Sequence, residues 1–440
     1  MVWGKGCIMI EPIIVVVVLL GLIGIGAPIF LALGAAGMLG LYMARGAMAL
    51  FFGPTSLFAQ LNSFELLALP LFVLMGNFLS ATPVGENLYR AAALWFSRVR
   101  GGLAVATVGA STMFGAVSGV SIAGVAAIGS IAVPQMLARG YSQRLAAGSV
   151  VSSGALAMLI PPSVPLIIYG AVSGVSVSDL FIGGIVPGLM LAFVLAVYIW
   201  IRATLNPSEA PLEHEGPPDW GARLRSLGSL WHAGLLVIVV LGVIYTGVAT
   251  PSEAGAFGAL GAMFLAGVIF RTLTWARLWD ILASSARISG SILLIMGCAR
   301  IFGDYLNLIR LPDAVSQALT QTGLAPFAIL MLVMVALLLL GMLLDAVSLI
   351  VVTTPILLPL VTTLGYDPLW FGIILVMNLE MAVITPPVGL NLYTLKAVAP
   401  VLPIETIIRS VLPFVILQFA VLTLFVLIPG LALWLPGLAG

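Results

Sequence analysis

Polar residues that could hold a small cation stand beside two proline pairs in this sequence. Residues 160–163 read Ile-Pro-Pro-Ser and residues 385–388 read Thr-Pro-Pro-Val, each within a hydrophobic run long enough to cross a bilayer. Because proline lacks an N–H and clashes with the preceding turn, each pair breaks a helix and leaves carbonyls without donors. Lipid cannot satisfy such carbonyls, so a break must be buried in protein or line a polar cavity. Two such breaks predict one central site built from both.

Small and hydroxyl-bearing residues accompany these breaks. Ser118, Gly119 and Ser121 lie where two short apolar arms meet. Hydroxyls and free carbonyls there could replace the water around a small hard cation such as Na⁺. The alternative is that these residues only allow close helix approach, as small residues do in membranes. A corresponding polar set follows in the second half: Asn378, Thr385, Gly389 and Asn391. Two cation half-sites, one in each half, are therefore predicted.

Four ionisable residues fall within apolar runs, where a charge is costly and usually functional. Asp345 lies where a second pair of apolar arms meets, and Glu380 precedes the second break. For Glu380, a functional role and a hydrogen-bonded packing role are equally compatible with the sequence. Arg300 and Asp304 have the i, i+4 spacing that allows pairing on one helix face. We interpret them as a structural ion pair, with a carboxylate-binding role of Arg300 as the alternative.

The composition is that of a polytopic membrane protein. Of 440 residues, 62% are hydrophobic and 8% charged, and the mean hydropathy is +1.23, outside the range of soluble domains. The net charge of +1 without basic clusters argues against a nucleic-acid partner. His214 and His232 are the two histidines, and no Walker A motif is present. The sequence therefore predicts no enzyme, and an ion gradient is the expected energy source.

The elements that position these residues form two halves with about ten crossings in total. A polar linker at residues 204–232, placed in the cytoplasm, separates a first repeat at 1–203 from a second at 233–440. Several minority residues recur at an offset of 225: Pro134, Gly140, Tyr141, Pro161 and Pro162, with counterparts Pro359, Gly365, Tyr366, Pro386 and Pro387. Internal repeats of this kind are typical of transporter folds.

Each half contains a segment that need not cross the bilayer fully. Residues 101–137 form two apolar arms that meet at 117–121, and residues 325–364 form two arms that meet at 341–345. We interpret both as re-entrant hairpins; the alternative is a pair of ordinary spans with a tight turn. Arginines around the first hairpin, in the linker and after the seventh crossing place those segments in the cytoplasm. With five crossings between them, the hairpins open to opposite sides, so the repeats are inverted.

Ordered motifs cover nearly the whole chain: residues 114–119, 134–141, 159–163, 168–170, 354–359, 378–380 and 384–393. They resemble those of the large membrane subunit of tripartite ATP-independent periplasmic (TRAP) transporters. The resemblance implies an all-α polytopic protein of the inverted-repeat elevator type, in the bacterial inner membrane. It also implies import of an organic acid, with Na⁺ as the coupling ion and no other cofactor. The hairpins and broken helices would form the moving domain.

The resemblance further implies partners and site residues. The partners would be a separate four-helix membrane subunit, braced by arm helices at 48–62 and 273–287, and a periplasmic substrate-binding protein. The Na⁺ half-sites would comprise Ser118, Gly119, Ser121, Pro161, Ser163, Asp345, Thr385, Pro386 and Gly389. Substrate would lie between the hairpin tips, and the candidates for contacting it are Ser163, Thr385 and Asn391. Arg300 is a further candidate, although with Asp304 it departs from the family pattern, in which this helix is expected to be less charged.

Two other functional classes remain open from the sequence. One is an ion-coupled anion transporter of the same superfamily that works without a binding protein. The other is a membrane scaffold or channel without coupled transport. An intramembrane hydrolase is disfavoured, because the catalytic groups it needs are missing.

Overall fold

The computed structural model describes residues 10–211 and 220–439, and within these ranges every regular element is a helix. Cys7, His214 and the rest of the linker segment 212–219 lie outside the described residues. Helices are expected here because a backbone in lipid must satisfy its N–H and C=O groups within its own segment. The prediction of an all-α protein rich in apolar helices is confirmed.

Ten α-helices precede the linker: α1 (Ile10–Gly24), α2 (Ile29–Arg45), α3 (Phe52–Leu61), α4 (Ala68–Ser80), α5 (Val84–Phe96), α6 (Gly102–Ser118), α7 (Ser121–Ala138), α8 (Gln143–Ala155), α9 (Val164–Ser173) and α10 (Val177–Leu205). Eleven more begin in the linker and follow it: α11 (Trp220–Gly228), α12 (Trp231–Tyr245), α13 (Pro251–Phe264), α14 (Trp275–Leu308), α15 (Leu311–Thr320), α16 (Pro326–Gly341), α17 (Ala346–Thr363), α18 (Pro368–Ala382), α19 (Leu390–Val398), α20 (Ile404–Leu427) and α21 (Gly430–Ala439).

Six helices in the described ranges are long and apolar enough to cross a bilayer, or up to eight segments if each bent helix pair counts as one span. The six are α7, α10, α13 with its π-helical extension, α14, α17 and α20. Helices α6, α9, α16 and α18 are apolar but shorter than the roughly 20 residues of a straight span. The count of about ten crossings stays a prediction.

The two hairpins are built on equivalent helices. α7 at Ser121–Ala138 and α17 at Ala346–Thr363 start and end at the offset of 225 residues. α6 and α7 pack together and are joined only by Gly119 and Val120. Gly119 ends α6 with a φ of +64°, a left-handed conformation that glycine adopts without steric cost. α16 and α17 are joined by the longer segment 342–345. The insertion of these hairpins into the membrane stays a prediction.

The proline pairs interrupt two helices at equivalent places. α8 ends at Ala155, and after a short 3₁₀ turn the chain is non-helical until α9 begins at Val164. α18 ends at Ala382, and α19 begins at Leu390. Both proline–proline peptide bonds are cis. In each half the break therefore separates two short helices that together replace one long span.

The deepest parts of the protein are these two broken helices. Every residue of 145–170 is buried, and so is every residue of 370–385. α8 packs against α6, α7 and α20, and α18 packs against α16, α17 and α20. Two further helix pairs join the halves, α2 with α14 and α4 with α13. The first break thus lies within the protein, as its carbonyls require, whereas Pro387 and Val388 of the second break are exposed.

Of the two segments that the sequence predicts as arm helices, only the first forms a separate helix. Residues 48–62 form a 3₁₀ turn and α3, bent by 60° from the segment that ends in α4. Residues 273–287, in contrast, mostly belong to the first part of the continuous 34-residue helix α14. The stretch 285–295 contains no proline, so no residue forces the helix to end there. The second predicted arm is therefore not a separate helix.

Candidate functional site

A cavity of about 220 Å³ lies where both hairpin tips and both breaks meet. The first tip contributes residues 119–121 to its wall, and the second tip contributes residues 345–347. The rest of the wall comes from the broken helices, α4 and α14: Val73, Met158, Val164, Pro165, Ile288, Ile292, Val383 and Leu390, with Ile122 of α7. We call this space the central cavity. It brings together Gly119, Ser121 and Asp345 among the predicted site residues.

The first tip is held tightly against the first break. A Cβ atom on Gly119 would lie 2.5 Å from the carbonyl oxygen of Pro162, closer than any real Cβ contact. The backbone N–H of Val164 donates a hydrogen bond to the Gly119 carbonyl at 3.4 Å. Only glycine fits here, for its left-handed φ as well as its lack of a side chain.

Carbonyl groups beside both breaks receive no hydrogen bond from the described residues. In the first break these are the carbonyls of Ile160 and Pro161, and in the second those of Thr385 and Pro386. The two pairs are equivalent at the 225-residue offset. Carbonyl oxygens without donors can act as ligands of a small cation, which fits the predicted Na⁺ half-sites.

The two serines of the first half-site differ in their hydrogen bonds. Ser163 caps α9, because its Oγ accepts from the Leu166 N–H at 3.3 Å and donates to the Met158 carbonyl. Ser118 is fully buried, and within the described ranges its Oγ has no hydrogen-bond partner. An unpaired buried hydroxyl is costly, and a bound ion or water would remove that cost. Ser163 thus holds the break, whereas Ser118 offers a free oxygen.

The second tip carries a carboxylate. Asp345 caps α17: the Ser348 N–H donates to its Oδ2 at 3.0 Å, and the Ser348 hydroxyl donates to its Oδ1. The Val388 N–H donates to the Met342 carbonyl at 3.2 Å, which ties the tip to the second break. Each carboxylate oxygen has further lone pairs beyond these bonds. The Asp345 carboxylate can therefore both cap the helix and contribute charge to the central cavity.

The remaining predicted residues of the tips and breaks do not line the central cavity. Each is within three positions of a wall residue: Ser118, Pro161, Ser163, Thr385, Pro386, Gly389 and Asn391. The Thr385 hydroxyl donates to the Met381 carbonyl at 2.6 Å, so it is engaged within its own helix turn. Gly389 precedes α19 with a φ of +49°. These groups are therefore close in sequence to the cavity wall but are not part of it.

One hydrogen bond joins the two halves at the site. The Ser121 hydroxyl of the first tip donates to Asn391 Oδ1 at 3.3 Å, across 270 residues of sequence. Asn391 is fully buried, and its Nδ2 has no partner in the part of the chain that the structure describes. A buried amide with two free donors is a binding group for an oxygen acceptor, so Asn391 remains a substrate candidate.

Helix α18 holds two further buried polar residues. Asn378 Nδ2 donates to the Met334 carbonyl of α16 at 3.0 Å. Glu380 is fully buried, and neither carboxyl oxygen has a partner in the described ranges. Neither residue lines the central cavity. Asn378 therefore ties the hairpin to the broken helix, and no contact of Glu380 assigns it a role.

Arg300 lies apart from the central cavity. Its Nε is 3.2 Å from Asp304 Oδ1, so the predicted i, i+4 ion pair forms. Both side chains line a second cavity of about 220 Å³ between α14, α17 and the end of α9. The structure thus does not bring Arg300 together with Ser163, Thr385 or Asn391.

Sequence reasoning missed the apolar part of the central wall and the helix cap at Asp345. Ile288 and Ile292 of α14 close the cavity, but an isoleucine has the same pattern whether it faces lipid, core or ligand. The cap was readable, because Asp345 precedes α17 with Ser348 three positions on, which is a typical N-cap arrangement.

Two solved transporters share this fold. The MtrF protein of Neisseria gonorrhoeae aligns with a TM-score of 0.62 at 15% identity, over 87% of this chain and 85% of its own. The YdaH transporter of Alcanivorax borkumensis aligns with a TM-score of 0.58 at 16% identity, over 88% and 90%. With its apolar helices and the cavity between two broken helices, the chain is a multi-pass membrane protein of transporter fold.

Sequence comparison assigns the chain to one family within this class of membrane proteins. The chain belongs to the DctM component family of tripartite ATP-independent periplasmic transporters, whose model matches residues 16–431. It is 37% identical to the C4-dicarboxylate TRAP transporter large permease DctM of Pseudomonas aeruginosa, over 87% of this chain and 89% of that protein. It is 32% identical to the ectoine large permease TeaC of Halomonas elongata, over 97% and 99%. An isethionate permease, DctMQ of Oleidesulfovibrio alaskensis, is 34% identical over 94% of this chain and 64% of that protein.

Proposed function

We propose that this chain is the permease subunit of a Na⁺-coupled secondary transporter that imports an organic acid across the bacterial inner membrane. The observation that carries the proposal is the central cavity, which both hairpin tips and both breaks line. Carbonyls without donors and the unpaired Ser118 hydroxyl offer the oxygen ligands that Na⁺ prefers. The membrane potential alone supplies about 2.3 kcal/mol per charge per 100 mV, so no catalytic residue and no other cofactor is needed.

The proposal assigns one Na⁺ half-site to each break. The first comprises Ser118, Gly119, Ser121, Pro161 and Ser163, and the second comprises Asp345, Thr385, Pro386 and Gly389. The organic acid binds between them in the central cavity, with Ser163, Thr385 and Asn391 as its candidate side-chain contacts. The Asp345 carboxylate opposes an anionic substrate unless a cation is bound beside it. Coupling follows, because Na⁺ must neutralise the cavity before the acid can enter.

Movement of the hairpins and broken helices as one elevator body is part of the proposal. Hydrogen bonds between tip and break in each half support it: Val164 N–H to Gly119, and Val388 N–H to Met342. The Ser121–Asn391 bond joins the two halves of this body. The pairs that join the halves, α2 with α14 and α4 with α13, supply the static scaffold of the proposal.

Two partners complete the proposed transporter. A small four-helix membrane subunit packs against the scaffold, and a periplasmic binding protein delivers the substrate. The relatives are named for C4-dicarboxylates, ectoine and isethionate, so one permease architecture serves several organic acids. We therefore assign the choice of acid to the binding protein rather than to the largely apolar central cavity.

Reconstituted uptake tests this function. The chain, the small subunit and the binding protein are placed in liposomes, and the acid that most stabilises the binding protein against heat is the transported probe. We expect uptake to fall at least about tenfold when external Na⁺ is replaced by K⁺, since the site would lack its ion. Liposomes without the chain give the background. Full uptake in K⁺ would overturn Na⁺ coupling, and uptake without the binding protein would favour a two-component transporter.

A further inference from the structure

The second cavity, which Arg300 and Asp304 line, has no role in the proposed Na⁺ and substrate sites. Gln60 of α3 and Asn307 of α14 add amide groups, and Pro355 of α17 forms part of the opposite wall. Its volume of about 220 Å³ equals that of the central cavity and suits a small organic anion. We call it the Arg300 cavity.

The two cavities lie one after the other along the interface between α14 and α17, which we call the α14–α17 seam. On α14, Ile288 and Ile292 face the central cavity, and Met296 and Arg300 face the Arg300 cavity. Steps of four residues keep these side chains on one helix face. With a rise of 1.5 Å per residue, Arg300 lies about 12 Å along the helix from Ile292.

The partners of α14 follow the same seam. On α17, Val347 lines the central cavity, and Val351 and Pro355 line the Arg300 cavity. On α9, Val164 lines the first and Val172 the second. The same three helices therefore form walls of both cavities, and a ligand moving between them stays in contact with all three.

The Arg300 guanidinium retains binding capacity in this position. Its side chain is 55% exposed, against 28% for Asp304, and the two approach through Nε and Oδ1. No hydrogen bond from the other Arg300 nitrogens is found within the described ranges. Guanidinium N–H groups form a planar fork that matches a carboxylate. A ligand carboxylate can therefore bind the free N–H groups and compete with Asp304 for the same cation.

The first half has apolar residues at the positions equivalent to Arg300 and Asp304. At the 225-residue offset, Met75 and Leu79 of α4 correspond to Arg300 and Asp304. Both are buried and apolar, and Met75 packs near Gly258. A structural ion pair that served only the fold would not need a cavity beside it, whereas an anion site on one face of the membrane would.

We propose that the Arg300 cavity is an outer anion subsite, where an organic carboxylate displaces Asp304 from Arg300 before it moves along the α14–α17 seam to the central cavity. This inference rests on the proposed function, because it adds an earlier binding step to the same import path. In the orientation predicted from the arginines, the Arg300 cavity faces outward. Asp304 acts as the internal competitor that releases Arg300 only to an anion.

A thiol-labelling experiment tests the subsite without transport. Gln60→Cys, in a Cys7→Ser/Cys298→Ser background, is exposed from the outside to anionic 2-sulfonatoethyl or cationic 2-(trimethylammonium)ethyl methanethiosulfonate. Thr55→Cys, on the same helix but outside the cavity, is the control. We expect the anionic-to-cationic rate ratio to be several-fold higher at Gln60→Cys. It should rise with Asp304→Asn and fall with Arg300→Gln. Labelling only from the inside, or a ratio equal to the control, would overturn the subsite.

Uptake kinetics of the complete transporter supply the second arm. Asp304→Asn should lower the half-saturating concentration of binding protein loaded with the probe acid by several-fold, and Arg300→Gln should raise it about tenfold, the loss of one charge-assisted contact. Arg300→Lys keeps the charge without the fork and should lie between wild type and Arg300→Gln. A purely structural pair predicts instead that both single variants lose protein level alike and that the swapped double variant restores it.

The two proposals fail separately. If uptake proves independent of Na⁺ but the labelling ratios and the opposite effects of Asp304→Asn and Arg300→Gln hold, the subsite stands and the coupling ion is wrong. If uptake needs Na⁺ but both variants behave alike, the subsite is wrong and the central site stands.

Discussion

The two breaks share one backbone plan but differ in how they are enclosed. The buried stretches begin at equivalent positions, Leu145 and Trp370, 225 residues apart. In the first half, burial continues through the prolines to Gly170, whereas in the second half it ends at Thr385. Pro387, the second member of the later pair, and Val388 just past it are exposed. One break is sealed inside the protein, and the other opens to a surface.

The tips differ in the same sense. The first tip has two linking residues and no charge, and Gly119 is pressed against Pro162. The second tip has four linking residues and the Asp345 carboxylate. Short, tightly packed connections resist rearrangement, whereas longer and more exposed ones open at lower cost. The two halves thus share a proline break, but the first tip is the more rigid, and the second is charged and more accessible.

The largest effect is expected from a substitution in the first tip, which packs on the buried first break. Gly119→Ala places a Cβ atom 2.5 Å from the Pro162 carbonyl and imposes a left-handed φ on alanine. The combined strain costs about 2–4 kcal/mol, and uptake should fall below about a tenth of wild type. Gly389→Ala should lose less, because its Cβ would meet the flexible end of Leu392 at 2.6 Å. Reconstituted uptake and thermal unfolding in detergent measure both.

Gly174→Ala is the control for backbone strain. Gly174 has a φ of +77°, but nothing lies within 4 Å of a Cβ atom there. It should therefore show the cost of a left-handed alanine, about 1–2 kcal/mol, without the clash. If Gly119→Ala behaves like Gly174→Ala, the tip and break are not tightly packed, and the two half-sites do not differ in rigidity.

The second prediction separates charge from capping at Asp345. Asp345→Asn keeps an acceptor for the Ser348 N–H but removes the charge, whereas Asp345→Ala removes both. We expect both variants to raise the half-saturating Na⁺ concentration for uptake about tenfold. Only Asp345→Ala should also lose the roughly 1 kcal/mol of a helix cap in thermal unfolding.

A cap outside the site provides the matched control. Ser176 caps α10 by accepting from the Asp179 N–H at 3.2 Å, and it does not line the central cavity. Ser176→Ala should lower stability as Asp345→Ala does and leave Na⁺ dependence unchanged. Wild-type Na⁺ dependence in Asp345→Asn would mean that the exposed half-site supplies no charge to the ion.

Local sequence signals account for the helix ends but not for the cavity walls. Prolines at 161–162 and 386–387 interrupt helices, and Gly119 ends α6 by its left-handed conformation, as short-range sterics require. Ile288 and Ile292 are 167 or more positions from the first tip that they face. Apolar side chains look alike in lipid, core and cavity, so only the folded packing distinguishes them. The difference in burial between the two breaks is likewise set by neighbours far along the chain.

The smallest effect on stability is expected from a serine substitution in the first half-site. The buried Ser118 hydroxyl has no partner in the described ranges, so Ser118→Ala removes no hydrogen bond and should change stability by less than about 0.5 kcal/mol. Ser111, on the same helix, accepts from the Ser153 hydroxyl at 3.0 Å, and Ser111→Ala should cost about 1 kcal/mol.

Ser111→Ala should have the larger effect on stability, whereas Ser118→Ala should have the larger effect on the Na⁺ dependence of uptake. Ser118→Ala should raise the half-saturating Na⁺ concentration a few-fold, and Ser111→Ala should leave it unchanged. A general loss of packing would affect stability and Na⁺ dependence in the same order, so opposite orders would distinguish a ligand residue from a structural one. If Ser118→Ala alters neither quantity, its oxygen is not a ligand, and Ser121, Ser163 and the backbone carbonyls without donors would be the remaining oxygen groups of the first half-site. The Asp345 carboxylate would then be the side chain on which Na⁺ dependence mainly rests, and the contrast between a rigid half-site and a charged one would be stronger.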